Sequence, residues 1–289
     1  MKTTDRVQIG SATLRAAFAP AFGGRMVALQ VMRPDGPFDV IVPMNGWTDQ
    51  PWRWPKAGAY PLFPYSNRIR NARLAHEDRN VELKPHPDAA PHTLHGPAHL
   101  RPWHCVAQDE TQATLALDYH GDADWPWSFR AEQRFAIAGN QLTLLLRLTN
   151  TATQAFPAGM GWHPYFSFGP DATITQDART LWVQDETFIA TGETRAAAPP
   201  HERTDYLSEW SGASILHRDG LRLDITADPI FAHLVCHRPD SDAYACIEPV
   251  THGADGFNLA VQGIKGTGTT MLAPGASLSG KISVHVGLT

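Results

Sequence analysis

Apolar and polar side chains alternate with period two along most of the chain, and helical periodicity is almost absent. Phe129, Ala131, Gln133, Phe135 and Ile137 alternate with Arg130, Glu132 and Arg134, the pattern of a strand with one face in a core and the other in water. Ala138-Gly139-Asn140 supplies turn chemistry before Leu142-Thr143-Leu144-Leu145-Leu146-Arg147-Leu148, so the two runs predict a hairpin. Further short strands are predicted at residues 13–18, 26–32, 114–119, 221–226, 243–247 and 281–286, with Arg33-Pro34-Asp35-Gly36 as a turn. Many short antiparallel strands with frequent turns predict an all-β fold, a large sandwich or barrel.

The chain has 289 residues, a size at which such folds occur as one unit. No composition break, repeat or low-complexity tract divides it, so one domain over residues 1–289 is expected. Gly and Pro, 23 each, are concentrated in connections at 45–73, 84–102 and 196–206. Connections that long inside a compact β domain tend to carry function. A net charge of -5 argues against a nucleic-acid surface, though not against a small anionic ligand held by a single Arg. Cys105, Cys236 and Cys246 are far apart and odd in number, which predicts a reducing compartment. With no signal-peptide pattern behind Met1, and no apolar run near the roughly 20 residues that cross a bilayer, a cytoplasmic protein with no membrane partner is expected. A monomer or weak homodimer is expected.

Candidate chemistry falls in four segments, all read as loops or strand ends. The first is Phe63-Pro64-Tyr65-Ser66-Asn67-Arg68-Ile69, where a buried Arg68 offers planar donors to ring and hydroxyl oxygens, or else ties to a structural carboxylate. The second is His92-Thr93-Leu94-His95-Gly96-Pro97-Ala98-His99, followed by Pro102-Trp103. Gly96 and Pro97 forbid the helix that would gather these histidines on one face, and no nearby thiolate or carboxylate completes a ligand set, so no metal is expected. In the third, Gly161-Trp162-His163-Pro164-Tyr165-Phe166, an imidazole flanked by aromatics suits a general acid, although a core histidine is as common. The fourth, Ile247-Glu248-Pro249-Val250-Thr251, puts a carboxylate at a strand end, where burial would raise its pKa and make it a usable base. Asp205 could accept bonds from hydroxyls or cap a turn. Gly23-Gly24 before Arg25 lacks what a phosphate loop needs and reads as a backbone bend.

In this order the segments resemble the aldose 1-epimerases, the galactose-mutarotase family. The resemblance rests on Asn67-Arg68-Ile69, Leu94-His95-Gly96 with Pro102-Trp103, His163-Pro164-Tyr165-Phe166, Glu248-Pro249-Val250-Thr251 and the closing Leu272-Ala273-Pro274-Gly275. It runs from about Ala12 to the end; the loop Gly253-Ala254-Asp255-Gly256-Phe257-Asn258 departs slightly from the family pattern. The resemblance implies an antiparallel β-sandwich of the mutarotase type that needs neither cofactor nor metal and takes a monosaccharide. It implies Glu248 as general base at the anomeric hydroxyl and His163 as general acid at the ring oxygen. It further implies Arg68 and His95 at the ring oxygen and anomeric end, Asp205 at hydroxyls further round the ring, and Asn67 as a substrate-binding neighbour of Arg68.

Two other classes compete. A glycosidase would use two carboxylates, whereas the best pair here is a carboxylate and an imidazole. A non-catalytic sugar-binding protein would have no use for an acid/base pair. Because nothing makes Arg70, Arg73 and Arg101 converge, neutral sugars are expected to be preferred over their 6-phosphates, with a hexose-6-phosphate mutarotase as the alternative.

Overall fold

A computed structural model describes residues 6–198, 204–241 and 243–288, so part of the 196–206 connection lies outside the described residues. Two large antiparallel sheets dominate it. The larger runs Val7–Gly10, Leu14–Ala19, Arg25–Arg33, Ala59–Leu62, Gly161–Pro164, Tyr244–Val250, His233–His237, Thr204–Ser208, Thr180–Gln184 and Ala190–Ala196 in spatial order, with two short strands off this path. The other runs His104–Gln108, Gln112–Tyr119, Phe129–Ala138, Gln141–Asn150, Ser277–Leu288, Leu221–Ala227, Ala213–Arg218 and Thr173–Gln176. The predicted hairpin is present: Ala138 pairs with Gln141 across Gly139-Asn140. Gly139 has φ 54°, the left-handed conformation that a two-residue hairpin turn asks of its first residue. Among the described residues the only α-helix, Gly256–Val261, is six residues long, and no helix is long and apolar enough to cross a membrane.

The sheets face each other across one apolar layer. Leu14, Phe18 and Leu29 of the larger sheet share it with Leu115, Phe135, Leu144 and Ile282 of the other, and the Phe18 and Phe135 ring centroids are 4.3 Å apart. The larger sheet is covered on its outer face too. Along Tyr244–Val250 every residue is buried. Ala245 and Ile247 face the inter-sheet core, while Tyr244, Cys246 and Val250 belong to a second cluster with Tyr60, Tyr165, Tyr206 and Val235. Strand alternation therefore sends Glu248 to the outer face.

Glycines at the start of Arg25–Arg33 fix how the covering loop approaches this sheet. Gly23 and Gly24 have φ of 74° and 62°, and a Cβ on Gly23 would collide with the His99 carbonyl oxygen. The loop carrying His95 and His99 thus rests on bare backbone. Gly23→Ala should lose roughly 2–5 kcal/mol of stability from strain plus overpacking. Gly139→Ala, also at positive φ but with open space around it, should lose only about 1 kcal/mol. Urea unfolding of both variants checks this, and equal losses would contradict it.

Candidate active site

The outer face of the larger sheet and the loops over it enclose a cavity of about 500 Å³. Glu248, His163, Arg68, Asn67 and His95 all line it, although they come from four separate stretches of chain. Two of them are more central than their sequence suggests. Glu248 lies within the strand Tyr244–Val250, not after it, and His163 lies within Gly161–Pro164, so both side chains rise from the sheet.

Glu248 and His163 are 3% and 7% exposed, with Nε2 of His163 3.3 Å from Oε1 of Glu248. Burial pushes the Glu248 carboxyl well up, against the pull of the Arg68 charge. Burial pushes His163 well down, helped by charge on His237, Arg25 and His99. Together these shifts favour an uncharged pair that holds one proton between carboxyl and imidazole. Nδ1 of His163 has no protein hydrogen-bond partner, and the ring is held by stacking on Tyr60 at 4.5 Å.

The two covering segments are tied to each other through main chain. The amide of His95 donates to the Asn67 carbonyl at 2.8 Å, and the amide of Asn67 donates to His95 Nδ1 at 3.2 Å. Nδ1 is therefore an acceptor, and burial holds His95 well below its ordinary pKa, so the neutral ring carries its hydrogen on Nε2. Both residues sit at positive φ, 58° for Asn67 and 64° for His95. Asn tolerates this conformation, and its Oδ1 accepts the Arg68 amide at 2.9 Å. Arg68 Nη1 donates to the Tyr206 hydroxyl at 3.2 Å, which donates in turn to the Phe188 carbonyl at 3.0 Å.

Asp205 is the one expected binding residue that does not reach the cavity. In the ladder of three strands Asp205 pairs with Cys236 and Cys236 with Ile247, a row facing the inter-sheet core. Tyr206 pairs with Val235 and Val235 with Glu248, the row facing the cavity. At 4% exposure Asp205 is buried behind the sheet, and Tyr206, Thr204 and His237 occupy the wall where its carboxylate was expected. Nothing in the sequence singles out those three or Tyr60, which also lines the cavity. Tyr206 differs from Asp205 only in strand parity, which one strand cannot reveal without its neighbours' register.

The far wall comes from the loop at 51–56. Trp54 anchors it by donating Nε1–H to the Thr48 carbonyl at 2.9 Å, and it packs with Phe22 and Trp47. Arg70, Arg73 and Arg101 do not line the cavity: Arg70 pairs with Asp185, Arg73 with Glu82, and Arg101 with Asp122 and Asp124.

His92, His95 and His99 form no metal-ligating group among the described residues; the one such group there is His163, Cys246 and Glu248, with ligand atoms within 4.8 Å of one another. Burial raises both the Cys246 thiol and the Glu248 carboxyl, so a cation would have to displace their protons.

The aldose 1-epimerase family profile matches residues 5–285. The chain belongs to the aldose 1-epimerase family. A relative in Escherichia coli K12, the uncharacterised protein YphB, is 26% identical over 251 residues, covering 80% of this chain and 84% of its own. The GalM/aldose epimerase homologue of C. elegans superposes with a TM-score of 0.79 at 16% identity, over 98% of this chain and 99% of that one. A galactose mutarotase-like protein of Clostridium acetobutylicum gives 0.79 at 16%, over 98% and 95%. The fold is thus the mutarotase-like β-sandwich that the sequence motifs implied.

The same burial makes the protein sensitive to acid. His233 and His252 are held at about 4, and His76, His86, His92, His95, His99 and His163 are also lowered, chiefly by burial. Near pH 6.5 the unfolded chain takes up protons that the folded chain refuses. Stability is therefore complete above that pH and lost as pH falls towards 4. His233 and His252 account for about 3 kcal/mol each across that window. Glu248 and Asp255, raised by burial, act in the opposite direction, but they are two groups against eight. Unfolding free energy should be several kcal/mol lower at pH 5 than at pH 7.5; a flat profile would show that these rings are charged when folded.

Proposed function

We propose that the protein is a mutarotase, which opens and recloses the ring of a free aldose with Glu248 as base and His163 as acid. The observation that carries this reading is their 3.3 Å contact, which puts a proton acceptor and a proton donor side by side in one cavity. Three unpaired thiols fit a reducing compartment, and we assign the protein to the cytoplasm.

Ring opening needs two proton transfers and no redox change. The pair starts as carboxylate and imidazolium. The anomeric O1–H gives its proton to Glu248, the O–H electrons form the carbonyl, the C1–O5 bond breaks, and O5 takes the proton of His163. The pair finishes as carboxylic acid and neutral imidazole, the form that burial favours, while the Arg68 charge supports the starting form. Rotation about C1–C2 presents the other face of the aldehyde, and the reversed transfers close the ring to the opposite anomer. Arg68 and the Nε2–H of His95 supply donors for the oxygens whose charge changes. Asn67 acts as a positioning residue by fixing both neighbours.

A glycosidase needs a second carboxylate as a partner in the chemistry. Among the described residues the other acidic side chain lining the cavity is Asp88, which is exposed.

Glu248→Gln keeps the shape and removes the base, and His163→Asn removes the acid. Polarimetry on freshly dissolved α-anomers should show each variant losing at least about 10²-fold in kcat, equivalent to roughly 2.7 kcal/mol of barrier, with a much smaller change in KM. A Glu248→Gln protein with near-normal kcat would sink the assignment. Activity should also survive exhaustive dialysis against EDTA; loss that added zinc restores would move the chemistry to a metal held by His163, Cys246 and Glu248.

A further inference from the structure

Arg25 has no part in the chemistry above, yet it is the most deeply placed cation of the cavity wall. It is 3% exposed and opens the strand Arg25–Arg33 directly after Gly24 and Gly23, the latter bringing His99 against the sheet. Nη1 donates to the Ala57 carbonyl at 3.1 Å, and Nε has no hydrogen-bond partner. The guanidinium carbon lies 4.4 Å from the Tyr60 ring centroid and 5.4 Å from that of Trp54. Among the described residues no carboxylate pairs with Arg25, and the charges that bear on it are the hydroxyls of Tyr60 and Tyr165, both raised by burial and so neutral. A guanidinium cannot shed its proton to escape burial. A buried charge with neither counter-ion nor full hydrogen bonding is costly to keep.

The surroundings point the same way. Lys56 is exposed at the rim of this cavity and Arg68 lines it, while burial raises the pKa of the Glu248 carboxyl and so weakens the buried negative charge near them. Arg25 and His163 both pack on the Tyr60 ring, 4.4 Å and 4.5 Å from its centroid, so the guanidinium and the proton-transfer pair share one stretch of cavity wall. We propose that the substrate is an acidic aldose, whose carbon farthest from C1 bears a negatively charged oxyacid group that Arg25 receives and Lys56 helps to draw in. This rests on the mutarotase reading of the same cavity. It reverses the preference for neutral sugars expected from the sequence, where the arginines beside the motifs gave no convergent charge and Arg25 read as part of a bend.

The test is a set of kcat/KM ratios, each acidic sugar against its neutral parent, with anomer exchange followed by NMR. Glucuronate against glucose and galacturonate against galactose form the carboxylate arm, and glucose 6-phosphate against glucose the phosphate arm. At least one ratio should exceed ten, and the arm in which it does identifies the oxyacid. That ratio should collapse towards one in Arg25→Gln, stay high in Arg25→Lys, and fall with added salt and in Lys56→Gln. Ratios below ten in both arms, or a high ratio unchanged in Arg25→Gln, overturn the proposal. If Arg25→Gln does not fold, the exposed Lys56→Gln and the salt dependence decide, and a ratio that moves with neither overturns it. If no sugar is accelerated, the mutarotase reading fails separately. Calorimetric titration with glucuronate, glucose 6-phosphate and glucose then decides this one, since equal affinities would remove the anion site and tighter binding of an anion would keep it.

Discussion

A strand covered on both faces must find a partner or a neutral form for every polar side chain it carries. The strand Tyr244–Val250 is such a strand, and Glu248 lies inside it. Burial raises the pKa of its carboxyl, and His163 is the neighbour close enough to exchange a proton with it. In the proposed reaction, the balance between those two sites is what drives the proton transfer. On an exposed strand end Glu248 would be an ordinary carboxylate and His163 an ordinary imidazole.

Holding such a pair in register depends mostly on main chain. Thr251, just past Glu248, accepts the Met160 amide through its hydroxyl and donates its own amide to the Met160 carbonyl, fixing the strand of His163 against that of Glu248. His252 Nε2 accepts the Ser66 amide at 3.1 Å, and the Asp255 amide donates to the Arg68 carbonyl at 2.8 Å. Asp255 Oδ1 accepts the Arg70 amide, and Asn258 bonds to Asp255, Arg73 and Ala75. The loop 253–258, whose sequence departs slightly from the family pattern, is thus the clamp on the segment that carries Arg68.

Much of this was legible in the sequence, for physical reasons. Alternation of period two is imposed by the pleat, so the hairpin and six further strands could be read, with ends off by up to a few residues: 281–286 is in fact Ser277–Leu288. The connections at 45–73 and 84–102 stood out because Gly and Pro interrupt that period, and both supply cavity wall. What could not be read was which side of a doubly buried strand faces the cavity. Asp205 and Tyr206 are equally good candidates until the pairing with His233–His237 separates them. Arg25 was hidden for another reason: a glycine pair explains a bend fully, and nothing in a lone Arg after it signals burial.

The two ends of the cavity are built differently. The end that holds Glu248, His163, Arg68 and His95 is knitted into the sheet by amides, whereas the wall at 51–56 is a surface excursion stapled by Trp54. Change in the first would disturb the large sheet, whereas change in the second falls on a surface loop and the small cluster around Trp54. A chain with this architecture can lengthen, shorten or recolour that one excursion and so reshape its cavity while leaving the buried Glu248–His163 contact intact.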